Sequence, residues 1–348
     1  MIPTIAWSDD HISLIDQRIL PLRLGWLECR NLEDVISAIK DMAIRGAPAI
    51  GVAAAMGLAL GAQSIAAHDY DAFRGRFLEM ASRMALARPT AVNLEWAVDR
   101  MKKVVEEMQG TTIDEVKEAL RRTSQDILEH DVEINRSIGQ HGSTLVPYGA
   151  TILTHCNAGA LATGGYGTAL GVIRAAHEVG KNIRVIVDET RPLLQGSRLT
   201  AFELMEEEIP ATVIVDSAAG YLMRKGMVDL VIIGADRIAS NGDTANKIGS
   251  YQLAVLAQEN RIPFYVAAPL STFDCTLMDG DHIPIEERDP QEVVTLGGQR
   301  LAPPGVRALN PAFDITPAAY ISAIITEKGI IEPPFAMSLL SLSGKESE

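Results

Sequence analysis

The stretch Thr151-Ile-Leu-Thr-His-Cys-Asn-Ala-Gly159 decides the fold class, because a short apolar run ends there in polar residues and a glycine. Similar apolar runs follow it at residues 183–187, 212–215, 230–233 and 264–267. Most of these runs are separated by helical stretches at residues 160–179, 217–225 and 245–259. Strands that alternate with helices predict a parallel sheet with right-handed crossovers. We therefore predict a doubly wound, Rossmann-like α/β domain over residues 144–348.

Residues 1–143 have a different pattern and predict a smaller, mainly helical N-terminal domain with a few short strands. Asn31 is a suitable N-cap for a helix at 32–42, and Pro48 suits the first turn of the next helix. Thr112 and Glu115 have the spacing of a capping box before a long helix. A further helix is predicted from Thr90, mutually paired strands near 5–7, 12–15 and 22–27, and a frayed end at 341–348.

Length and composition narrow the class of protein. The 348 residues suffice for two domains, and 47% hydrophobic with 22% charged residues is a normal globular balance. Only 5% of the residues are aromatic, which favours close-packed helices and α/β units. The net charge of −14 argues against nonspecific nucleic-acid binding, which needs a basic face. It permits an anionic small substrate, because a few local basic residues can bind one phosphate.

The cysteines and the most apolar segment indicate a cytoplasmic protein. Cys29, Cys156 and Cys275 form no CxxC pair, which argues against a disulfide framework or a zinc site. Residues 1–10 lack the pattern of a signal peptide. Residues 50–66 carry no charge, but they are slightly short for a membrane span and lack basic or aromatic flanks. We predict that they form a buried core helix.

Four predicted strands end in polar or reactive residues. Ligands of open parallel sheets bind beyond the carboxyl ends of the strands, so these groups should meet on one rim. They are His155, Cys156 and Asn157 after the first strand, Asp188, Glu189, Thr190 and Arg191 after the second, Asp216 and Ser217 after the third, and Gly234, Ala235, Asp236 and Arg237 after the fourth. This clustering predicts a functional site.

Cys156 has two interpretations that position alone leaves open. It precedes a glycine-rich turn and a predicted helix, where backbone N–H groups would favour a reactive thiolate. It could equally be a small buried apolar residue, the usual role of a free cysteine. Cys29 and Cys275 lack such a setting and are interpreted as structural. The glycine-rich run after Cys156 is a weak dinucleotide signal, because it lacks GxGxxG in register.

Three further segments could bind an anion or a substrate. Arg45-Gly46-Ala47-Pro48 places a basic residue before a helix start, where free N–H groups suit a phosphate, and Arg88-Pro89-Thr90 repeats the arrangement. The alternative for each is an interhelical turn with a solvated arginine. Residues 243–247 are predicted to open a helix, from whose first turn Asn246 and Lys247 could reach the crevice.

These segments together resemble the methylthioribose-1-phosphate isomerase family. The six that carry the resemblance are Arg45-Gly-Ala-Pro-Ala-Ile-Gly-Val-Ala-Ala-Ala55, Arg88-Pro-Thr-Ala-Val-Asn-Leu94, His155-Cys-Asn-Ala-Gly159, Asp188-Glu-Thr-Arg-Pro-Leu-Leu-Gln-Gly196, Gly234-Ala-Asp-Arg-Ile238 and Gly242-Asp-Thr-Ala-Asn-Lys-Ile-Gly249. They occur in order along nearly the whole chain. The wider family includes regulatory subunits of a translation-initiation exchange factor and other ribose-phosphate isomerases.

The resemblance implies an aldose–ketose isomerase that converts 5-methylthioribose 1-phosphate to 5-methylthioribulose 1-phosphate. It implies Cys156 and Asp236 as the catalytic pair, a homodimer, and no metal or nucleotide cofactor. It also implies substrate contacts by Arg45, Gly46, Ala47, Arg88, Gln195, Asn246 and Lys247, and each position carries the expected residue type. Asp236 would be the acid, with a pKa raised by an apolar pocket. Two alternatives stay open: an isomerase of 5-deoxyribose 1-phosphate or ribose 1,5-bisphosphate, and a non-catalytic regulatory relative.

Overall fold

The computed structural model describes residues 3–8, 10–88 and 92–336. The predicted helix start at Thr90, the Pro89-Thr90 motif and the predicted frayed end at 341–348 lie outside these residues. Contacts divide the chain into two compact units. The first runs to Ile134 and includes Gly159–Gly167, while the second includes Asn135–Ala158 and continues from Thr168. The domain boundary at 143/144 stays a prediction, because a division by contacts does not show which parts of the chain fold independently.

Within its described residues, the first unit contains a three-stranded antiparallel sheet in the order β1-β2-β3. The strands are β1 (Ile5–Trp7), β2 (Ile12–Ile15) and β3 (Trp26–Cys29). Their mutual pairing is as predicted, but β3 begins at Trp26 and not at residue 22. The reason is that Leu22 is almost fully exposed, whereas Leu27 and Cys29 lie opposite the buried Leu14 and Ile12.

The helices of the N-terminal part are α1 (Leu32–Lys40), α2 (Ala47–Gln63), α3 (Tyr70–Ala85), α4 (Val92–Glu107) and α5 (Ile113–Ser143). The predicted caps are confirmed: the Asp34 N–H donates to the Asn31 side chain, and Thr112 and Glu115 bond each other reciprocally. The sequence analysis did not predict α3. Its buried positions Phe73 and Phe77 are spaced one helical turn apart, so the signal was present.

The uncharged segment at 50–66 lies largely in α2, and the prediction of a buried core helix is confirmed. Pro48 lies in its first turn, and nearly all of its side chains are buried. Glycines permit this packing: a Cβ on Gly57 would lie 2.9 Å from Val35, and one on Gly51 would lie 2.8 Å from the Asn93 carbonyl oxygen. Among the described residues, no helix combines the length and apolarity that crossing a membrane requires.

The second unit is built from short strands numbered along the chain. They are β4 (Thr151–Thr154), β5 (Arg184–Asp188), β6 (Ala211–Ile214), β7 (Leu230–Ile233), β8 (Arg237–Ala239), β9 (Thr244–Lys247), β10 (Phe264–Ala267), β11 (Phe273–Asp274), β12 (Thr295–Leu296), β13 (Gln299–Arg300), β14 (Phe313–Thr316), β15 (Ala323–Thr326) and β16 (Gly329–Ile331). In the described part of this unit, seven of them form a sheet in the order β16-β15-β10-β7-β4-β5-β6. Every neighbouring pair is parallel except β15 with β16. The predicted α/β class with a parallel sheet is thereby confirmed.

A smaller sheet, in the order β11-β8-β9-β14, follows β7 and is absent from the sequence prediction. Residues 244–247, predicted to open a helix, form β9 and pair antiparallel with β14. The helix prediction is wrong there because these residues pair with β14, and the helix begins only at Ser250, after Gly249 with φ 104°.

The helices of this unit are α6 (Ala169–Glu178), α7 (Ala201–Glu206), α8 (Ala219–Arg224), α9 (Ser250–Glu259) and α10 (Gln291–Val294). The helix predicted to begin at residue 160 begins at Ala169. Tyr166 and Gly167 both have positive φ, which an α-helix does not accommodate, and only a short 3₁₀ turn forms at Ala160–Ala162.

Candidate active site

The order of the large sheet contains one topological switch point. From β4 the chain adds β5 and β6 on one side, then returns to add β7 and β10 on the other. Ligands of open α/β sheets bind at the carboxyl ends of strands beside such a point. The loops after β4 and β7 flank it, and they touch, since a Cβ on Gly234 would lie 2.7 Å from that of Ala158. Cys156 and Asp236 lie in these two loops.

Cys156 has a backbone conformation that is uncommon for a residue with a side chain. Its φ is 63°, its N–H donates to Thr190 Oγ1 at 2.8 Å, and its carbonyl accepts from Thr200 Oγ1 at 2.6 Å. The residue is partly exposed. A sparsely populated conformation that two hydrogen bonds maintain is typical of functional sites.

The sequence analysis placed a glycine-rich turn and then a helix from residue 160 after Cys156, and the position of that helix start is wrong. Helix α6 begins only at Ala169, and the N–H groups of Thr168 and Leu170 donate to the carbonyl of Ala158. The carbonyl oxygen of Ala158 therefore binds the N–H groups at this helix start. The local environment of Cys156 is set instead by the residues around the loop after β4.

His155 is fully buried beside Cys156. Its Nδ1 lies 2.9 Å from Asp188 Oδ2 at the end of β5, and its Nε2 lies 2.8 Å from the carbonyl oxygen of Ile248. Burial lowers the pKa of His155. The hydrogen bond and negative charge of Asp188, with smaller contributions from Ile248 and Asp216, outweigh this effect, so the net shift of the pKa is upward. Burial raises the pKa of the Asp188 carboxyl, and His155 opposes that shift.

The loop after β5 is fixed by Asp216, which follows β6. The carboxylate of Asp216 accepts the N–H groups of Thr190 at 2.7 Å and Arg191 at 2.8 Å. The chain then forms a π-helical turn at Gly196–Thr200, a rare form that is frequent at functional sites. Gln195 directly precedes this turn. It is buried, and no donor among the described residues reaches its Oε1.

Asp236 lies in the loop between β7 and β8. Its N–H donates to the carbonyl of Ala245 at 2.9 Å, and its side chain is exposed. The carboxyl of Asp236 is therefore not enclosed by the described residues. Its role as an acid stays a prediction.

Asn246 and Lys247 are buried in β9. Asn246 Nδ2 donates to Ser250 Oγ at 2.8 Å, and Lys247 Nζ donates to the Ala312 carbonyl at 2.7 Å. Lys247 Nζ also lies 4.7 Å from the centre of the Phe313 ring. A strand thus positions both side chains, whereas the sequence analysis placed them in a helical turn.

The remaining predicted contacts lie in the first unit. Arg45, Gly46, Ala47 and Arg88 are all partly exposed. Gly46 precedes α2 with φ 93°, and a Cβ there would lie 2.3 Å from the carbonyl oxygen of Ala162. Only glycine fits this approach. Gly46 provides no side-chain cap at the start of α2, and backbone N–H groups at a helix start suit an anion.

Sequence reasoning missed the partners that fix Cys156. His155, Asp188, Thr190 and Asp216 were recognised only as polar residues at strand ends, while the hydroxyl of Thr200 was not singled out. Asp188 ends a strand, whereas His155, Thr190 and Asp216 follow strands closely. Thr200 ends the π-helical turn after β5. Their pairing depends on the strand order, which the sequence does not contain.

Comparisons with known proteins match this chain over nearly its full length. The sequence profile of the initiation factor 2 subunit family matches residues 43–333. A methylthioribose-1-phosphate isomerase of Geotalea uraniireducens (strain Rf4) is 56% identical, and the match covers 98% of this chain and 99% of that protein. The crystal structure of 5-methylthioribose 1-phosphate isomerase from Pyrococcus horikoshii OT3 has 45% identity and a TM-score of 0.96, covering 99% of this chain and 97% of that one. A structure of the translation initiation factor eIF-2B, subunit delta, from A. fulgidus has 46% identity and a TM-score of 0.90, covering 98% and 99%.

Proposed function

The chain belongs to the initiation factor 2 subunit family, and we propose that it converts 5-methylthioribose 1-phosphate to 5-methylthioribulose 1-phosphate in methionine salvage. The observation that carries this function is the 56% identity, over nearly the whole of both chains, to an isomerase of that name. The family resemblance inferred from the six motifs is thereby confirmed. The protein is an aldose–ketose isomerase, an intramolecular oxidoreductase.

Cys156 and Asp236 are the proposed catalytic residues. The phosphate on the anomeric oxygen prevents ordinary ring opening, so an acid must protonate the ring oxygen as its bond to C1 breaks. Asp236 would supply this proton, and its exposed carboxyl would need the bound substrate to cover it, because burial favours the protonated form. Hydrogen then moves from C2 to C1 while the C2 hydroxyl becomes a ketone, and the proton that this hydroxyl loses would restore the protonated Asp236. Cys156 would act as the C2 base or stabilise the transition state beside it.

The fate of the C2 hydrogen separates the two routes for this step. Substrate with deuterium at C2 is converted in ordinary water, and the product is analysed by proton NMR. Loss of deuterium to solvent is expected for a base that exchanges its proton. Complete retention at C1 would contradict such a base and favour a hydride-type shift.

We propose Gln195, Asn246 and Lys247 as substrate contacts. The buried Gln195 Oε1 supports this role, since a buried acceptor without a donor is costly and a sugar hydroxyl could donate to it. For Arg45, Gly46, Ala47 and Arg88 the support is the motif resemblance and the uncapped start of α2. Basic groups and backbone N–H groups suit the substrate phosphate, and fixing the phosphate orients the reacting carbons.

Two alternatives differ from this function in measurable ways. The first is a regulatory relative, which the likeness to the A. fulgidus delta subunit structure favours. The second is an isomerase of 5-deoxyribose 1-phosphate or ribose 1,5-bisphosphate. Assaying all three phosphosugars by phosphorus NMR tests both, and the highest kcat/KM is expected for the methylthio substrate. Discrimination against a smaller 5-substituent should be modest, because an apolar group adds only about 1–3 kcal/mol. No turnover of any sugar by the folded protein would support the regulatory role.

We propose that the enzyme is a cytoplasmic homodimer of two domains that needs no metal or nucleotide and binds no nucleic acid. The motif resemblance supports the dimer, and the three free thiols fit a reducing compartment. Sedimentation should give twice the mass of one chain. For the two domains, limited proteolysis should cut near the 143/144 boundary. For the metal-free enzyme, turnover should be unchanged after dialysis against EDTA. Activity lost with EDTA and restored by a divalent cation would contradict the metal-free enzyme.

A further inference from the structure

His155 is a buried ionisable group to which the proposed reaction gives no role. It is 2% exposed and lies between two acceptors on different parts of the second unit. One is Asp188 Oδ2 at the end of β5, 2.9 Å from Nδ1, and the other is the carbonyl oxygen of Ile248, 2.8 Å from Nε2. A Cβ on Gly249 would lie 2.9 Å from the imidazole, so the ring is also enclosed by the backbone after β9.

The two acceptors determine how many protons the ring carries. A carbonyl oxygen can only accept a hydrogen bond, so Nε2 must be protonated. The second proton lies in the bond between Nδ1 and Asp188, and it belongs on the imidazole because that group is ordinarily the more basic one. Two further carboxyl groups favour the doubly protonated ring. They are Asp216 after β6 and Asp314 in β14, whose negative charges attract the positive charge of His155. Lys247 of β9 is basic, and its positive charge acts on Asp314.

A metal ion is a poor alternative occupant of this cluster. His155, Asp188 and Asp216 place their possible ligand atoms within 4.8 Å of one another. However, both nitrogens of His155 already contact acceptors, and the Asp216 carboxylate already accepts the N–H groups of Thr190 and Arg191. A cation would have to displace the proton of His155 and compete with these hydrogen bonds.

The contacts of His155 join two groups of residues that serve the proposed reaction. On one side, the peptide after His155 leads directly to Cys156, whose N–H is bonded to Thr190. On the other side, Ile248 follows Asn246 and Lys247, the proposed substrate contacts in β9. We propose that His155 is a positioning residue, held as an imidazolium between Asp188 and the Ile248 carbonyl, that fixes the Cys156 loop relative to the end of β9. This role rests on the proposed function of Cys156.

Nitrogen-15 NMR of histidine-labelled wild type tests the protonation directly. Both ring nitrogens of His155 are expected to be protonated at pH 7, where an ordinary histidine with a pKa of about 6.5 is mostly neutral. The His155→Gln variant assigns the signal, and Asp188→Asn should lower the pKa of His155, because it removes the counter-ion while burial still disfavours the charged ring. A His155 ring with one proton at pH 7 would overturn the inference, and the protonation itself is measured on the wild-type protein.

Kinetics test the positioning role. His155→Gln can bond only one of the two acceptors, so kcat should fall by roughly 100-fold and KM should rise, because both loops lose their relative position. A merely structural loss would lower the active fraction and leave KM unchanged. His141→Gln is the matched control, since His141 Nδ1 contacts the Thr326 carbonyl away from these loops, and its turnover should match wild type. Unchanged kcat and KM in His155→Gln would overturn this inference and leave the proposed function intact, whereas an inactive wild type would overturn both.

Discussion

At the scale of single residues, the candidate site depends on close backbone approaches that a sequence does not display. Gly196 shows this most clearly: a Cβ there would lie 1.7 Å from the carbonyl oxygen of Asp188. The two residues are separated by a loop that contains the positive-φ residues Thr190 and Leu194. The glycine therefore allows Gln195 and the π-helical turn to pack directly on the end of β5.

We predict that Gly196→Ala destabilises the protein by at least about 3 kcal/mol, because the added methyl group must displace backbone. It should also lower turnover, since the same displacement moves Gln195. Gly75→Ala is the control, because Gly75 lies within α3 with open space around it, and alanine should stabilise a helix interior by about 0.5–1 kcal/mol there. Urea unfolding measures both, and equal stabilities would contradict the account.

Cys29 provides a prediction about pH. Burial, with a smaller contribution from Asp34, raises the pKa of its thiol from 9.0 to about 11. Between these values the unfolded chain has lost the thiol proton and the folded chain has kept it, so stability falls as pH rises above 9. The slope approaches about 1.4 kcal/mol per pH unit. The free energy of unfolding of wild type should decline more steeply from pH 8.5 to 10.5 than that of Cys29→Ala, and parallel curves would refute this.

At the scale of elements, the sequence predicted the helix caps and half of the sixteen described strands, because the signals of these elements are local. Apolar runs located β4, β7 and β10 at their observed bounds, and side-chain oxygens at the right spacing identified the starts of α1 and α5. The prediction failed at β9, where residues 244–247 pair with β14. That partner lies more than sixty residues further along the chain, so local propensity could not reveal it.

The capping box at the start of α5 should contribute measurably to stability. Thr112→Ala removes the acceptor for the Glu115 N–H and should cost about 1 kcal/mol. Thr123→Ala, within the same helix, should be neutral or slightly stabilising because alanine is the better helix former. Thermal unfolding of the two variants compares the cap with a substitution of the same type, and similar losses in both would contradict a capping role.

At the scale of the whole molecule, alternation of strands and helices predicted a parallel α/β sheet but not its order. The order β7-β4-β5 creates the switch point and brings the loops containing Cys156 and Asp236 together. The sequence could therefore nominate these two residues as strand-end groups, and the family resemblance gave them roles. It could not predict the contact of His155 with Ile248, because that contact requires the folded arrangement of β4, β5 and β9.

The most direct test of the central claim is turnover of 5-methylthioribose 1-phosphate, followed by proton NMR, in wild type, Cys156→Ser and Asp236→Asn. Cys275→Ser and Asp281→Asn are matched controls at exposed positions, and circular dichroism confirms that each variant is folded. The account predicts ketose formation by wild type and both controls and its loss in the two site variants. No turnover by well-folded wild type would contradict the function, and full activity of both site variants would contradict the site.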